Sequence, residues 1–232
     1  MIKQVSIILS TYNEASVIED TINQIFIDLD DVEIILVDDN SPDGTYDIVK
    51  KINNPNIKAY KRNSRGLSSA FLLGLINSSS NIVGWLDSNM GNLAKRLPEM
   101  IKNLDHNDIV ILSRYVEGGS DQRSKQRVLS SRLINYFCRK ILSDQVKDYT
   151  SGIFIMKRNV LQSAVPVAIG HGEFFIEFIY KSLKAGIKII ELPYSHPPDI
   201  EGMSKTAPNM LRFCKLGLGY LIRIIQSLFL RN

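Results

Sequence analysis

The sequence predicts one α/β domain, a mainly parallel β-sheet covered by helices on both faces and followed by a C-terminal amphipathic helix. Two observations support this fold class. Short β-branched runs alternate with segments of helical periodicity up to about residue 115. The runs are apolar almost throughout, as parallel strands covered on both faces usually are. A chain of 232 residues can bury a core without disulfides or structural metals.

The first half of the chain contains the elements that should form most of the sheet. Polar clusters at residues 10–14, 38–41 and 87–89 follow three of its predicted strands. Ligands of such sheets bind beyond the carboxyl ends of the strands, so we expect these clusters to converge at one edge. The predicted strands are residues 5–9, 32–37, 57–60, 82–87 and 108–113, and the predicted helices are residues 15–26, 45–52, 68–77 and 97–104.

The second half adds fewer elements. A basic helix is predicted over residues 123–142, a turn and strand over 148–157, a helix over 172–185 and a strand over 187–192. Residues 196–204 are rich in turn formers, so we expect a loop there. A loop of this length beside the site edge is a candidate lid. The domain should therefore comprise residues 1–207, with a separate helix at 208–232.

The net charge of +4 is unevenly distributed. Residues 122–143 contain six basic residues and no acid, and the chain after Glu201 contains five more basic residues, again with no acid. The rest of the chain is acidic, which indicates a localised anionic partner and not a nucleic acid. The alternative is a pair of solvated helix faces. The two cysteines are far apart and lack CxxC spacing, which argues against a disulfide scaffold or a structural zinc site.

The last 25 residues, 208–232, predict a basic amphipathic helix that associates with a membrane. Arg212, Lys215, Arg223 and Gln226 fall on one side, and apolar residues such as Leu218 and Ile225 on the other. No run is long and apolar enough for a membrane span, and the N-terminus does not match a signal peptide. We therefore expect a peripheral protein on the cytoplasmic face of a membrane. The alternative is a helix packed on the domain's own core.

Two strand ends carry residues suited to binding a ligand. Asp38 and Asp39 directly follow a predicted buried strand, where carboxylates can accept hydrogen bonds from a sugar hydroxyl or a base N–H; a simple turn is the alternative. Asp87 and Asn89 form a second cluster of oxygen ligands. Mg²⁺ is usually held by one or two such oxygens together with substrate phosphates. A helix cap is the alternative role of Asp87.

Six stretches in order resemble the family 2 glycosyltransferases, which have a Rossmann-like GT-A fold, and among them the polyprenol-phosphate (dolichol-phosphate) mannosyltransferases. The region of resemblance covers most of the chain, from residue 5 to about residue 205. The stretches are STYNE at 10–14, VDDNSPDGT at 37–45, RGLSSA at 65–70, ILSRYVEGG at 111–119, DYTSG at 148–152 and GMSK at 202–205.

The resemblance implies a site for a nucleotide-sugar donor. Tyr12, Glu14 and Asp39 would contact the base and ribose, with Asp38 supporting them and Ser10 and Arg65 completing the donor site. Asp87 and Asn89 match the family's DxD motif, which holds Mg²⁺ or Mn²⁺ on the donor diphosphate. Because Asn89 replaces a carboxylate, we expect weaker metal binding than an Asp would give.

The resemblance also implies a site for a phosphorylated acceptor. Arg114, Arg127, Ser130 and Ser131 would bind the acceptor phosphate, joined by Lys205. A lipid phosphomonoester carries about −1.5 to −2 charges near pH 7, and bidentate arginine contacts bind such an anion well. The family usually has an Arg six residues before the Lys, where this chain has Asp199. An acid there would repel a phosphate.

The expected reaction transfers a hexose, mannose or glucose, from a GDP- or UDP-sugar to polyprenyl or dolichyl phosphate with inversion. Asp87, Asn89 and Arg114 are the expected catalytic residues. A phosphate dianion needs no general base. One alternative is transfer to a saccharide or protein hydroxyl, with Asp148 as the base, and another is a non-catalytic nucleotide-sugar or lipid-phosphate binding protein. The expected partners also include a membrane surface or a membrane-embedded protein.

Overall fold

The computed structural model describes residues 4–198 and 210–229. Nine strands and seven α-helices follow one another along these residues, with 3₁₀ helices at Gly91–Arg96 and Arg158–Gln162. The strands are β1 Val5–Thr11, β2 Val32–Asp38, β3 Ile57–Lys61, β4 Ile82–Trp85, β5 Ile109–Ser113, β6 Ser120–Asp121, β7 Phe154–Lys157, β8 Ile189–Pro193 and β9 Ser195–His196. The helices are α1 Ile18–Asp28, α2 Thr45–Lys51, α3 Leu67–Asn77, α4 Leu97–Asn103, α5 Lys125–Ile141, α6 Phe174–Lys184 and α7 Met210–Leu228.

Seven of the strands form one sheet in the order β3-β2-β1-β4-β7-β5-β8. Its strand pairs are parallel except those of β7, which runs antiparallel to both β4 and β5. The predicted fold class, a mainly parallel sheet with flanking helices, is therefore confirmed. The strands β6 and β9 pair in a separate two-stranded parallel sheet. His196, which was predicted to begin the loop, is the last residue of β9, and residues 199–204 of that loop lie outside the described residues.

The apolar strands supply two cores, one on each face of the sheet. In β1, Ile7 and Leu9 belong to the first core, with residues of α1 and α4. Ile8, between them, belongs to the second core, with residues of α3, α5, α6 and α7. Successive side chains of a strand point to opposite faces, so a strand covered on both sides is apolar at every position.

An aromatic stack fixes the carboxyl end of β4. The ring of Trp85 stacks on those of Phe71 on α3 and Phe174 on α6, with centroid distances of 4.6 and 5.2 Å, and these two rings lie 5.9 Å from each other. Both pairs are close to parallel, at 22° and 20°. Because Trp85 is the last residue of β4, this packing holds the start of the Asp87 loop in place.

The C-terminal helix α7 packs against α5 and α6. Arg223 points toward the domain, where its Nη1 donates to Glu177 Oε2 on α6 at 2.7 Å. Arg223, on the predicted basic side of the helix, thus pairs with a buried carboxylate of the domain, while Leu218 and Ile225 on the predicted apolar side are exposed. The side chains of Arg212 and Lys215 are outside the part of the chain whose side chains the structure describes. Within the described part of the chain, no helix has the length and hydropathy needed to span a bilayer.

Candidate active site

The three polar clusters expected at one edge of the sheet lie together there. Thr11 at the end of β1 pairs in register with Asp38 at the end of β2. On the other side of β1, Ser88 Oγ donates to the carbonyl oxygen of Ser10 at 3.3 Å. The carboxyl ends of β2, β1 and β4 thus place the Asp38–Asp39 turn and the Asp87 loop on either side of one central strand.

Asp38 shapes the turn that follows β2. It is fully buried and accepts hydrogen bonds from Thr11 Oγ1 at 2.9 Å and from the backbone N–H of Ser41 at 2.9 Å. The Ser41 hydroxyl also donates to this carboxylate. With no exposed surface, Asp38 holds the turn in position through these hydrogen bonds, and its supporting role in donor binding stays a prediction.

Asp39 is held by the segment that precedes α3. Arg62 Nε donates to its Oδ1 at 2.5 Å, and the backbone N–H of Gly66 donates to its Oδ2 at 3.0 Å. Arg62 also donates to the Gly66 carbonyl at 2.6 Å and to Ser69 Oγ at 2.9 Å. Arg62 was not predicted as a site residue, although a cation directly after β3 lies at the same sheet edge.

Tyr12 and Arg65 form a flat surface next to Asp39. The guanidinium carbon of Arg65 lies 3.6 Å from the centroid of the Tyr12 ring, a close cation–π stack. Beside them, Ser10 Oγ is buried and has no hydrogen-bond partner within the described residues. A planar stack next to a fixed carboxylate is suited to a flat ligand with hydroxyl groups, such as a nucleoside.

Asp87 lies in a field of opposing charges. Burial and the nearby carboxylate of Glu14 raise its pKa from 3.8 to about 6, against the opposing effect of Arg114 and Arg123. Its backbone carbonyl accepts from the N–H of Met90 at 2.9 Å, which closes the loop. A cation bound here would relieve the repulsion between Asp87 and Glu14.

The oxygen ligands that Asp87 and Asn89 offer fit a metal ion that takes its remaining ligands from a bound substrate. Across residues 4–198 and 210–229 there is no group of three or more His, Cys, Asp or Glu side chains placed to bind a metal. Asp87 supplies one carboxylate and Asn89, which is exposed, one amide oxygen. Mg²⁺ and Mn²⁺ accept such oxygens and take phosphate and water for their remaining positions.

Arg114 is bound to Asp148 inside the protein. Its Nε and Nη2 donate to the two carboxylate oxygens at 2.8 and 2.7 Å, and Nη2 also donates to Thr150 Oγ1 at 2.8 Å. Nη1 lies 3.6 Å from Asp121 Oδ2. The role of Arg114 in binding an acceptor phosphate remains a prediction, but most of its donors already have protein partners.

The predicted acceptor residues on α5 connect to the same network. Ser131 Oγ lies 2.9 Å from Thr150 Oγ1, the atom that accepts from Arg114. Arg127 and Ser130 are half-buried on the same helix, and Lys205 lies outside the described residues. Ser131 is thus joined to Arg114 through Thr150.

Arg123 was not predicted as a site residue, yet it contributes to the charge around Asp87. Its Nε and Nη2 donate to both oxygens of Asp121 at 2.8 and 2.7 Å. Its side chain keeps 16% of its surface exposed, whereas that of Arg114 keeps 2%. Of the two arginines near Asp87, Arg123 is the more accessible to a ligand. Its only signal in the sequence is its position at the start of the basic segment.

Acidic loops and arginines at the carboxyl ends of the strands of a mainly parallel α/β sheet lie where proteins of this class bind their ligands. Residues 6–164 match the family described as Glycosyl transferase family 2. The chain belongs to this family.

Two relatives and one solved structure illustrate the similarity. The dolichol-phosphate mannosyltransferase of Pyrococcus furiosus is 28% identical over 215 residues, 87% of this chain and 59% of that protein, so the chain spans less than two thirds of this relative. The polyprenol monophosphomannose synthase of Mycolicibacterium smegmatis is 25% identical over 217 residues, 89% of this chain and 82% of that protein. The glucosyl-3-phosphoglycerate synthase of Mycobacterium tuberculosis, solved with Mn²⁺, UDP-glucose and phosphoglyceric acid, superposes with a TM-score of 0.74 at 17% identity, covering 99% of this chain and 81% of that chain. At this identity the structural likeness shows a shared fold.

Proposed function

We propose that this chain transfers a hexose from a nucleotide-sugar to a polyprenyl phosphate, with inversion at the anomeric carbon. The observation that carries the proposal is the meeting of the Asp39 turn and the Asp87 loop on either side of β1, with arginines next to Asp87. The names of the Pyrococcus and Mycolicibacterium relatives support the choice of substrates.

The donor site uses the residues between β1 and α3. The Tyr12–Arg65 stack and Asp39 bind the base and ribose, and the unpartnered Ser10 hydroxyl and Glu14 complete this side. Because Arg62 and Gly66 already fix the Asp39 carboxylate, it can accept ligand hydrogen bonds through its remaining lone pairs without losing rotamer freedom.

The donor diphosphate occupies the region between Asp87 and the arginines. Asp87 and Asn89 would hold Mg²⁺ or Mn²⁺, which supplies positive charge to the diphosphate as it leaves. Arg123 adds a cation beside it, since it interacts with Asp87 and retains exposed surface. The protein's own part is to place these charges before the reaction begins.

The acceptor is an anion that serves as its own nucleophile. Asp148, the one carboxylate considered as a general base for a hydroxyl acceptor, is fully buried and paired with Arg114. This pairing favours a phosphate acceptor, which is already ionised and needs no base. Arg127, Ser130, Ser131 and Lys205 bind the phosphate, and Arg114 positions Ser131 through Thr150.

A donor and acceptor screen tests the proposal. The protein is incubated with labelled GDP-mannose, GDP-glucose or UDP-glucose and with polyprenyl phosphate, with and without Mg²⁺ or Mn²⁺. We expect a labelled lipid product that requires the divalent ion. Product formed only with saccharide acceptors would support the first alternative, and donor binding without any turnover would support the non-catalytic one.

The Asp87→Ala variant tests the site. We expect loss of transfer with an unchanged unfolding midpoint, because a carboxylate in this loop contributes little packing. Asp47→Ala is the matched control, since Asp47 is exposed on α2, and this variant should keep wild-type activity. Full activity of the Asp87→Ala variant would remove Asp87 from the proposed site.

A further inference from the structure

The segment of residues 167–173, which precedes α6, begins next to the Asp39 side of the candidate site. The Ser68 hydroxyl in the first turn of α3 donates to the carbonyl oxygen of Val167. Ser68 follows closely after Gly66, whose backbone N–H donates to the Asp39 carboxylate at 3.0 Å. This end of the segment is therefore bound to the part of α3 that holds Asp39.

The other end of the segment lies next to the Asp87 loop. Phe174, the first residue of α6, stacks on Trp85 with a centroid distance of 5.2 Å and an interplanar angle of 20°. Trp85 is the last residue of β4, and the Asp87 loop follows it directly. The half-buried residues 170–173 therefore lie beside the loop that is proposed to hold the metal.

The C-terminal helix α7 contacts this segment through Tyr220. A Cβ at Gly172 would lie 2.4 Å from the Tyr220 hydroxyl oxygen, so this oxygen packs directly on the glycine. Gly172 does not have a positive φ, so the contact with Tyr220 is what excludes a side chain there. Arg223 and Ile224, three and four residues after Tyr220, share its side of the helix and are bound to Glu177 and buried in the second core. A helix that is fixed to the domain thus places the tyrosine against the segment.

The Tyr220 hydroxyl also lies in the electrostatic field of the candidate site. Burial raises its pKa above the ordinary value, and the carboxylate of Glu173 raises it further. Asp87 acts in the same direction, while Arg114 and Arg123 act in the opposite direction. The same three side chains surround the proposed diphosphate region. Tyr220 therefore brings α7 to the part of the fold where the donor is expected to react.

We propose that Tyr220 is a positioning residue, whose contact with Gly172 sets residues 170–173 against the Asp87 loop to form the wall that contacts the hexose of the donor. The C-terminal helix then completes the active site. This inference rests on the proposed function, in which the nucleoside binds at Asp39 and the diphosphate at Asp87.

The composition of residues 167–173 favours the hexose over the diphosphate as the group they contact. The segment has no Lys or Arg and carries the carboxylate of Glu173, which would repel a phosphate. Glu173 Oε2 accepts from the backbone N–H of His171 at 2.9 Å, which holds the carboxylate in place. Carboxylate and imidazole groups accept hydrogen bonds from hydroxyl groups, and a hexose offers several of these.

A double-mutant cycle between Gly172 and Tyr220 tests the contact. In Gly172→Ala the new Cβ lies about 1 Å inside ordinary contact distance, and a misplacement of this size can lower a rate about 100-fold. In Tyr220→Phe the oxygen is absent, and the same Cβ meets ring carbon Cζ at 3.5 Å, an ordinary contact. We therefore expect Gly172→Ala to lower kcat/KM for the nucleotide-sugar about 100-fold in the wild type and little in the Tyr220→Phe background. Equal losses in both backgrounds would overturn the proposal.

Inhibition by the free nucleoside diphosphate separates a hexose contact from general damage. Gly172→Ala should raise KM for the nucleotide-sugar, while the inhibition constant of GDP or UDP should stay at the wild-type value, because neither compound carries the hexose. A smaller folded fraction would lower kcat and leave KM unchanged. That result, or an inhibition constant that rises with KM, would contradict the proposed wall.

The fluorescence of Trp85, the single tryptophan, reports the position of the segment without any substrate. Because Phe174 follows the segment and stacks on Trp85, Gly172→Ala should shift the emission to longer wavelength. The double variant Gly172→Ala/Tyr220→Phe should emit like Tyr220→Phe alone. Unchanged emission of Gly172→Ala would contradict the positioning role.

Leu221→Ala is the matched control on α7. Leu221 is adjacent to Tyr220 in the sequence and is 40% exposed, so this variant should keep the wild-type emission and kinetics. An equal effect of Leu221→Ala would contradict a specific role of Tyr220. If the wild type transfers sugar from no nucleotide-sugar, the proposed function fails together with the hexose contact. The emission of Trp85 in the Gly172 and Tyr220 variants still decides whether Tyr220 positions the segment.

Discussion

Arg114 and Asp148 form a bidentate ion pair that is closed to solvent, with side chains 2% and 0% exposed. The backbone N–H of Arg114 adds a third hydrogen bond to Asp148 Oδ2 at 3.0 Å. Burial alone would raise the pKa of Asp148, but the charge and hydrogen bonds of Arg114 hold this pKa below its usual value. The pair joins the end of β5 to the turn before β7, so residues from two sequence motifs are fixed to each other at the candidate site.

Removing one partner of this pair should destabilise the fold. Arg114→Ala leaves the Asp148 carboxylate buried without its cation, and we expect the free energy of unfolding to fall by about 3–5 kcal/mol. Urea unfolding followed by circular dichroism measures this change. Arg139→Ala is the control, because the Arg139–Asp144 pair is exposed and should matter little. If both variants unfold like the wild type, Arg114 has no structural role.

Gly119 has a steric role beside Arg114. A Cβ at this position would lie 2.7 Å from the carbonyl oxygen of Ser113 and 2.8 Å from the backbone carbonyl of Arg114, and neither backbone group can easily move. We therefore expect Gly119→Ala to lower stability by about 1–3 kcal/mol and to reduce transfer by displacing Arg114.

The control for this variant is Gly217→Ala, because a Cβ at Gly217 in α7 would meet nothing within 4 Å. Replacing a helical glycine with alanine favours the helix, so thermal unfolding should show no loss of stability. Equal melting temperatures for Gly119→Ala and the wild type would contradict the steric argument.

Local sequence pattern was sufficient to predict the parallel part of the fold. The alternation of Ile7, Ile8 and Leu9 between two cores requires a strand covered on both faces, and this is visible in an apolar run. The insertion of β7 between β4 and β5 was not predictable in this way. It depends on packing between residues far apart in the sequence, such as the rings of Phe154 and Phe178, whose centroids are 5.8 Å apart. The hydrophobic periodicity of a segment also carries no information about the direction in which the strand runs.

The candidate site also has a part that could be predicted from the sequence and a part that could not. The positions of Asp38, Asp39 and Asp87 follow from their places after strands, which the sequence shows. The pairing of Arg62 with Asp39 and of Arg114 with Asp148 joins residues 23 and 34 positions apart, so it requires the folded chain. Arg62 was missed for this reason, and the internal pairing of Arg114 was not anticipated.

A buried carboxylate also lies at the opposite end of the strands from the site. Glu33 accepts from Ser6 Oγ at 2.5 Å and from the backbone N–H of Ser79 at 2.6 Å, and Lys58 Nζ lies 2.8 Å away. Burial would raise the pKa of Glu33, but Lys58 and these donors outweigh it and lower the pKa from 4.5 to about 2. The charged form therefore stabilises the folded state.

The Glu33→Gln variant should lose this contribution, about 3 kcal/mol at pH 7. Because the folded pKa is the lower one, the wild-type advantage is complete above about pH 4.5 and disappears as the pH falls toward 2. Urea unfolding of both proteins across this range measures the difference. Glu19→Gln, at an exposed position on α1, is the control. A wild-type advantage that grew on acidification would contradict this account.

The side chain at position 89 should determine how much metal the protein needs for transfer. In the Asn89→Asp variant a second carboxylate joins Asp87, and added ligand charge strengthens the binding of a hard cation. We expect the Mn²⁺ concentration for half-maximal transfer to fall by about tenfold, and Mn²⁺ bound in the presence of a nucleoside diphosphate, measured by electron paramagnetic resonance, to rise accordingly. Asn92→Asp is the matched control, because Asn92 is exposed on the adjacent 3₁₀ helix and adds the same charge at another position. Equal effects of the two variants would indicate that the added negative charge acts through the general electrostatic field and not by binding the metal. No effect of either variant would indicate that the metal binds away from Asp87.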